Sequence, residues 1–81
     1  MNSSTEEKLK EILAKVLLVD RTKINDRMSR KGVEEWDSMA HLMLVSEIES
    51  EFGVMMSDDD ITEIKTVGDI KRVLRKLDVA I

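Results

Sequence analysis

The chain has 81 residues, 13 Lys+Arg against 17 Asp+Glu, one His, and neither Cys nor Pro, for a net charge of −4. Such a length holds one small domain and is too short for a multi-domain enzyme or a doubly wound nucleotide-binding fold. The 42% apolar content argues against general disorder, and a single Trp and a single Phe argue against a sandwich or barrel of strands. Without Cys there is no disulfide, no thiolate catalysis and no Cys-based zinc site, and one His cannot build a multi-His metal centre, so no metal site is expected. The longest aliphatic or Met runs, such as Val16 to Val19 and Leu42 to Val45, are far too short for a membrane span. Glu6, Glu7, Lys8, Lys10 and Glu11 leave no apolar signal region near the N-terminus, so a cytoplasmic location is expected.

The charge is unevenly distributed. Residues 1–31 carry net +3, residues 32–64 carry ten acids and no base, and residues 65–81 again carry +3. The acidic third is interleaved with Trp36, Leu42, Leu44, Val45, Ile48 and Phe52, so it is expected to fold rather than form a tail. Such a face is either simply solvated or a docking surface for basic partners. Nucleic acid is not an expected ligand, because phosphate contacts need clustered Lys and Arg.

In chain order, Ser4 and Glu7 have the spacing of a capping box, and Leu9, Ile12, Leu13, Val16 and Leu17 follow as one helical stripe. Residues 20–35 have no sustained period and contain Asn25, Asp26, Ser29 and Gly32, which predicts a long loop pinned by Ile24, Met28 and Val33. A second helix is predicted from Ser38 to Phe52, stopped by Gly53. It puts Leu44, Val45, Ile48, Phe52 and His41 on one face, and Met39, Met43, Ser46, Glu47 and Ser50 on the other. Outward Met residues suit a surface that meets several partners. Ser57 before Asp58, Asp59 and Asp60 predicts a short helix start, with Ile61 and Ile64 anchoring it. Thr66 with Asp69 predicts the cap of a last helix whose stripe is Val67, Ile70, Val73, Leu74 and Leu77. The expected fold is all-α: three main helices and one short one, in a single domain over residues 1–81 with an ordered core of about 5–77.

Chemistry concentrates where the long loop meets the second helix. With Asp37 as N-cap accepting from the amide of Met39 or Ala40, Ser38 becomes the first helical residue and its hydroxyl is not needed for capping. A phosphate on that oxygen would sit at the positive end of the helix. An ordinary helix start explains the same dipeptide. Ser57 faces three Asp, and Thr66 is expected to cap. Asp37, Ser38 and His41 could suggest a hydrolase triad, but no second domain or oxyanion hole accompanies them, and His41 is expected to be a packed residue. The cluster Asp58, Asp59, Asp60 and Glu63 lacks the Gly and spacing of a calcium loop and is expected to be a structural cap. Trp36 is expected to pack the loop onto the bundle.

Trp36-Asp37-Ser38-Met39 opening a helix, then Glu47 to Val54, then Ser57 to Asp60, then Ile64-Lys65-Thr66-Val67-Gly68-Asp69-Ile70, together resemble an acyl carrier protein over about residues 5–77. The resemblance implies a four-helix bundle of acyl-carrier type, 4′-phosphopantetheine from coenzyme A carried covalently on Ser38, and acyl cargo held as a thioester on the arm. It implies that the protein is a shuttle rather than a catalyst, acting in pathways such as fatty acid biosynthesis. It implies attachment by a phosphopantetheinyl transferase, with Asp37 close to Mg²⁺ during transfer. The implied further partners are acyl-transferring or acyl-ligating enzymes with basic or apolar docking patches, met through Met39, Met43, Glu47 and Glu51. The carrier is expected to be a monomer.

This chain departs from the familiar fatty-acid carriers. Met39 follows the Ser where Leu is usual, no acid precedes Glu47 in the helix, and Met43 stands where a partner-contacting acid is common. Docking at this end should therefore be more apolar. Asp37-Ser38-Met39 is also similar to D-alanyl carrier proteins, and Trp36-Asp37-Ser38 with a nearby His to specialised carriers. The alternatives are a carrier of D-alanyl or aminoacyl cargo, or a small helical interaction adaptor without a prosthetic group.

Overall fold

The alternation of apolar stripes and capping residues resolves into four helices: α1 (Asn2–Leu17), α2 (Ser38–Phe52), α3 (Asp58–Glu63) and α4 (Val67–Lys76). These are seen in a computed structural model that describes the backbone of residues 2–81 and the side chains from residue 5 onward. No strand occurs among the described residues; the one extended pairing is an isolated antiparallel bridge between Ser29 and Thr66.

Helix α1 is already helical at Asn2, two residues ahead of the start expected at Ser4. Ser4 therefore lies inside the first turn rather than at its cap, and its side chain is outside the described ones. From there the stripe behaves as its spacing requires. Leu9, Ile12, Leu13 and Leu17 are buried, and Val16 is half-buried at its edge. Each fully buried Leu or Ile contributes on the order of 1.5–3 kcal/mol. The same core holds Leu44, Val45 and Ile48 of α2, Ile64 beyond α3, and Val67, Ile70, Val73 and Leu74 of α4.

Three helices end in the same way, α4 among them, where Asp78 adopts φ +68° and Val79 N–H returns to Leu74 C=O at 2.9 Å. Gly53 adopts φ +64° after α2, and Val54 N–H returns to Glu49 C=O at 3.2 Å. Leu18 adopts φ +57° after α1, and Val19 N–H returns to Ala14 C=O at 3.3 Å. The left-handed residue satisfies carbonyls that the helix end would otherwise leave open, at no steric cost for Gly and at some cost for Leu.

Helices α3 and α4 begin with reciprocal caps. Ser57 Oγ accepts from Asp60 N–H and Asp60 accepts from Ser57 N–H; Thr66 and Asp69 repeat the pattern. The predicted role of Asp60 in a structural cap is thus met, and its carboxylate also pairs with Lys76 of α4.

The long loop is more ordered than its lack of period suggests. Asp20 caps a 3₁₀ turn over Arg21–Lys23, accepting from Thr22 N–H. Further on, Val67 N–H donates to Met28 C=O and Arg30 N–H to Lys65 C=O, both at 2.9 Å, so the loop is stitched to the α3–α4 connection. A second tie is Lys71, buried between Glu6 of α1 and Asp26 of the loop, the latter at 2.7 Å. Burial opposes its charge, but the hydrogen bonds it donates to Asp26 and Glu6 outweigh that and raise its pKa.

Candidate functional site

The residues just ahead of α2 are held from below. Trp36 is buried, and its indole N–H donates to His41 Nδ1 at 3.0 Å. An indole nitrogen can only donate, so Nδ1 must accept and the ring proton resides on Nε2. That Nε2–H donates to the carbonyl of Ile61 at 2.9 Å. One neutral imidazole, 4% exposed, therefore links the loop, α2 and α3. Both its nitrogens are engaged away from Ser38, which removes the triad arrangement and confirms His41 and Trp36 as packed residues.

On this base the chain turns out at Asp37. Its backbone is extended (φ −87°, ψ −173°), and its carboxylate accepts from Ala40 N–H at 2.8 Å. The carbonyl of Asp37 accepts from His41 N–H at 2.9 Å, closing the first turn. Capping by Asp37 leaves the Ser38 hydroxyl free of any capping role. Ser38 is exposed at the first helical position, and its Oγ accepts from Arg30 Nη2 at 3.4 Å.

The hydroxyls that start α3 and α4 are engaged as caps, and others among the described residues are engaged locally. Ser57 and Thr66 accept from the amides of Asp60 and Asp69. Ser29 accepts from Gly32 N–H, and Thr62 donates to the carbonyl of Asp58. Ser46 and Ser50 are exposed but lie in the body of α2. Ser38 thus combines exposure with the positive helix end, and no acid occupies the first turn of α2.

This arrangement fits a phosphodiester. The amides of Ser38 and Met39 belong to the first turn, where no intrahelical carbonyl can reach them. The neighbouring carboxylate of Asp37 is turned onto Ala40 N–H, and a guanidinium stands at the oxygen that would bear the phosphorus.

Around Ser38 the outward surface is apolar: Met39 is 73% exposed, Leu42 62% and Met43 51%. Met39 and Met43 were expected there. Leu42 was not singled out, although helical spacing puts it between Ser38 and Met39 in azimuth, and that signal was available. Glu47 and Glu51 lie round the helix, towards α1. Glu47 pairs with Lys15 at 3.0 Å and Glu51 with Lys8 at 3.8 Å.

Comparison with known proteins agrees with this geometry. Residues 7–74 match the family described as the phosphopantetheine attachment site. The chain is also 36% identical over 69 residues to the acyl carrier protein of Thermotoga maritima, covering 85% of each chain. A match over nearly the whole helical core, with a hydroxyl presented at a helix N-terminus, places this chain in the acyl carrier protein family, with 4′-phosphopantetheine as its covalently attached prosthetic group.

Proposed function

We propose that Ser38 is the residue that bears the arm, and that the protein holds acyl groups on it and presents them to partner enzymes without catalysing a reaction itself. The observation that carries this reading is the Ser38 hydroxyl, exposed at the first position of α2 and relieved of capping by Asp37. The arm supplies a thiol on which an acyl group can be held as a thioester, in a chain that has no sulfhydryl of its own.

Attachment is a phosphoryl transfer from coenzyme A by a separate transferase. The Ser38 Oγ–P bond forms, the bond from that phosphorus to the adenosine bisphosphate portion breaks, and the hydroxyl proton passes to the transferase. The carrier contributes an accessible oxygen and an electropositive helix end. Asp37, next to that oxygen, is the residue of this chain suited to approach Mg²⁺ during transfer. Met39, Leu42 and Met43 offer partners an apolar contact beside the arm, with Glu47 and Glu51 a charged margin. A cytoplasmic monomer serving fatty-acyl or related acyl metabolism is the setting this reading favours.

The test is incubation with coenzyme A, Mg²⁺ and a broad-specificity phosphopantetheinyl transferase, followed by intact-mass measurement. One arm per chain should be added, and Ser38→Ala should abolish the addition. An unchanged mass with several such transferases would favour a helical adaptor without prosthetic group.

A further inference from the structure

We propose that Arg30 is the phosphate-binding residue for the arm: its guanidinium holds the phosphodiester on Ser38 and so sets the direction in which the arm leaves the protein. The inference rests on the assignment of the arm to Ser38.

Three observations carry it. First, Arg30 Nη2 already points at Ser38 Oγ, at 3.4 Å. That is long for a charged donor meeting a neutral hydroxyl, since charge-assisted bonds to oxyanions close to about 2.7–2.9 Å. The non-bridging oxygens of a phosphodiester lie two bonds beyond Oγ, through phosphorus, so they would fall within reach of the same nitrogen and could shorten the contact.

Second, the backbone that carries Arg30 is fixed. Its N–H donates to Lys65 C=O at 2.9 Å, and the preceding residue, Ser29, pairs with Thr66. Ser29 is further locked in a turn, its carbonyl accepting from Gly32 N–H and Val33 N–H at 3.1 Å each, and its hydroxyl from Gly32 N–H at 3.0 Å. The backbone from which the side chain reaches Ser38 is therefore anchored to the α3–α4 connection, which limits the directions open to the guanidinium.

Third, Arg30 enters none of the ion pairs among the described residues; Arg27, Lys31 and Lys65 share that state, but Arg30 is the cation whose side chain reaches Ser38 Oγ. The acids nearest to it in sequence do not take it up, and Asp37 is committed to the helix cap. In a chain of net charge −4 that is a cation without a carboxylate, facing the one place where the arm brings a permanent negative charge.

The experiment uses the full-length protein loaded by the transferase, with intact mass recorded first. In the wild type, the Arg30 Nε–H resonance followed by ¹⁵N NMR should shift between the unloaded and loaded forms. The ³¹P resonance of the phosphodiester should move in Arg30→Gln relative to wild type, with the difference shrinking at high salt, and should be partly restored in Arg30→Lys. A loaded protein whose Arg30 signal does not change on loading, and whose ³¹P signal is the same in wild type and Arg30→Gln, overturns the role of Arg30 while leaving Ser38 in place. Loading that persists in Ser38→Ala overturns the underlying assignment and the inference with it. The comparison of unloaded and loaded wild type holds even if a variant folds poorly.

Discussion

The chain Trp36–His41–Ile61 yields a quantitative prediction, because Trp36 and His41 are buried, Ile61 is half-buried, and each hydrogen bond has one donor and one acceptor. Trp36→Phe keeps an aromatic in the core but removes the indole N–H, leaving His41 Nδ1 as a buried acceptor without a partner. That orphan costs about 1–3 kcal/mol, and the smaller ring adds a packing loss. His41→Leu fills the space with an apolar side chain but orphans the Trp36 N–H and the Ile61 carbonyl, at a cost of similar size. A domain of this length has on the order of 4–12 kcal/mol in total, so either variant should be plainly weakened, with Tm falling by roughly 4–8 °C per kcal/mol.

The decisive quantity is the double variant. The Trp36–His41 bond can be broken only once, so Trp36→Phe with His41→Leu should cost less than the sum of the singles by about 1 kcal/mol or more. Urea unfolding of all four proteins, with the slopes compared to confirm a common denatured state, measures the coupling. Additivity within about 0.5 kcal/mol would refute the claim that these rings form a coupled buried pair.

Three further outcomes are expected. The matched helix ends predict opposite signs: Gly53→Ala, at φ +64° with open space around the position, should cost about 1 kcal/mol, while Leu18→Gly, at φ +57° and exposed, should be neutral to slightly stabilising in urea unfolding. Acid should destabilise the fold through Asp60 and Asp69. Asp60 is lowered below its ordinary 3.8 by Lys76 and the Ser57 amide; for Asp69 burial acts upward, but the amides of Lys65 and Thr66 outweigh it. Depressed carboxylates stabilise fully above about pH 4 and lose that contribution as pH falls through their lower folded values, so the urea midpoint should drop there, and Lys76→Met should raise the Asp60 pKa measured by NMR. Met39→Glu should weaken transferase binding roughly tenfold at any salt, whereas Glu47→Lys and Glu51→Lys should have smaller effects, largest at low salt, read by titration of the unloaded carrier.

What the sequence disclosed followed the range of each interaction. The stripes Leu9 to Leu17 and Val67 to Leu77, and the caps at Ser57 and Thr66, depend on residues three or four apart, and a single sequence displays those spacings. The Ser38 hydroxyl was legible for the same reason, since Asp37 caps within one turn. Contacts that need the finished fold were hidden. His41 Nε2 finds a carbonyl 20 residues away, and Lys71 finds Glu6 at a separation of 65. Arg30 was not singled out because its relation to Ser38 depends on a loop pinned to the Lys65 region rather than on a motif. The 3₁₀ turn at Arg21–Lys23 did have a local signal, Asp20 two residues before Thr22, of the kind that starts an Asx turn.

The surface beside Ser38 divides into two parts of unequal weight. Half of the ten acids that give the middle third its charge are engaged within the molecule, among them both acids of α2 that face α1. Glu47 and Glu51 face Lys15 and Lys8 across the α1–α2 groove, Asp60 pairs with Lys76, and Glu49 accepts from Met56 N–H at 2.7 Å. An exposed pair such as Lys15–Glu47 is worth about 0–1 kcal/mol, so a basic partner could displace it but would gain little from the exchange. Met39, Leu42 and Met43, by contrast, have most or half of their surface open, and burying each fully would contribute on the order of 1.5–3 kcal/mol. Apolar contact therefore outweighs charge at the Ser38 end of α2. The unpaired guanidinium of Arg30 makes the same end less negative still, so a partner relying on a strongly basic patch would find its attraction along the far turns of α2 and not at Ser38 itself.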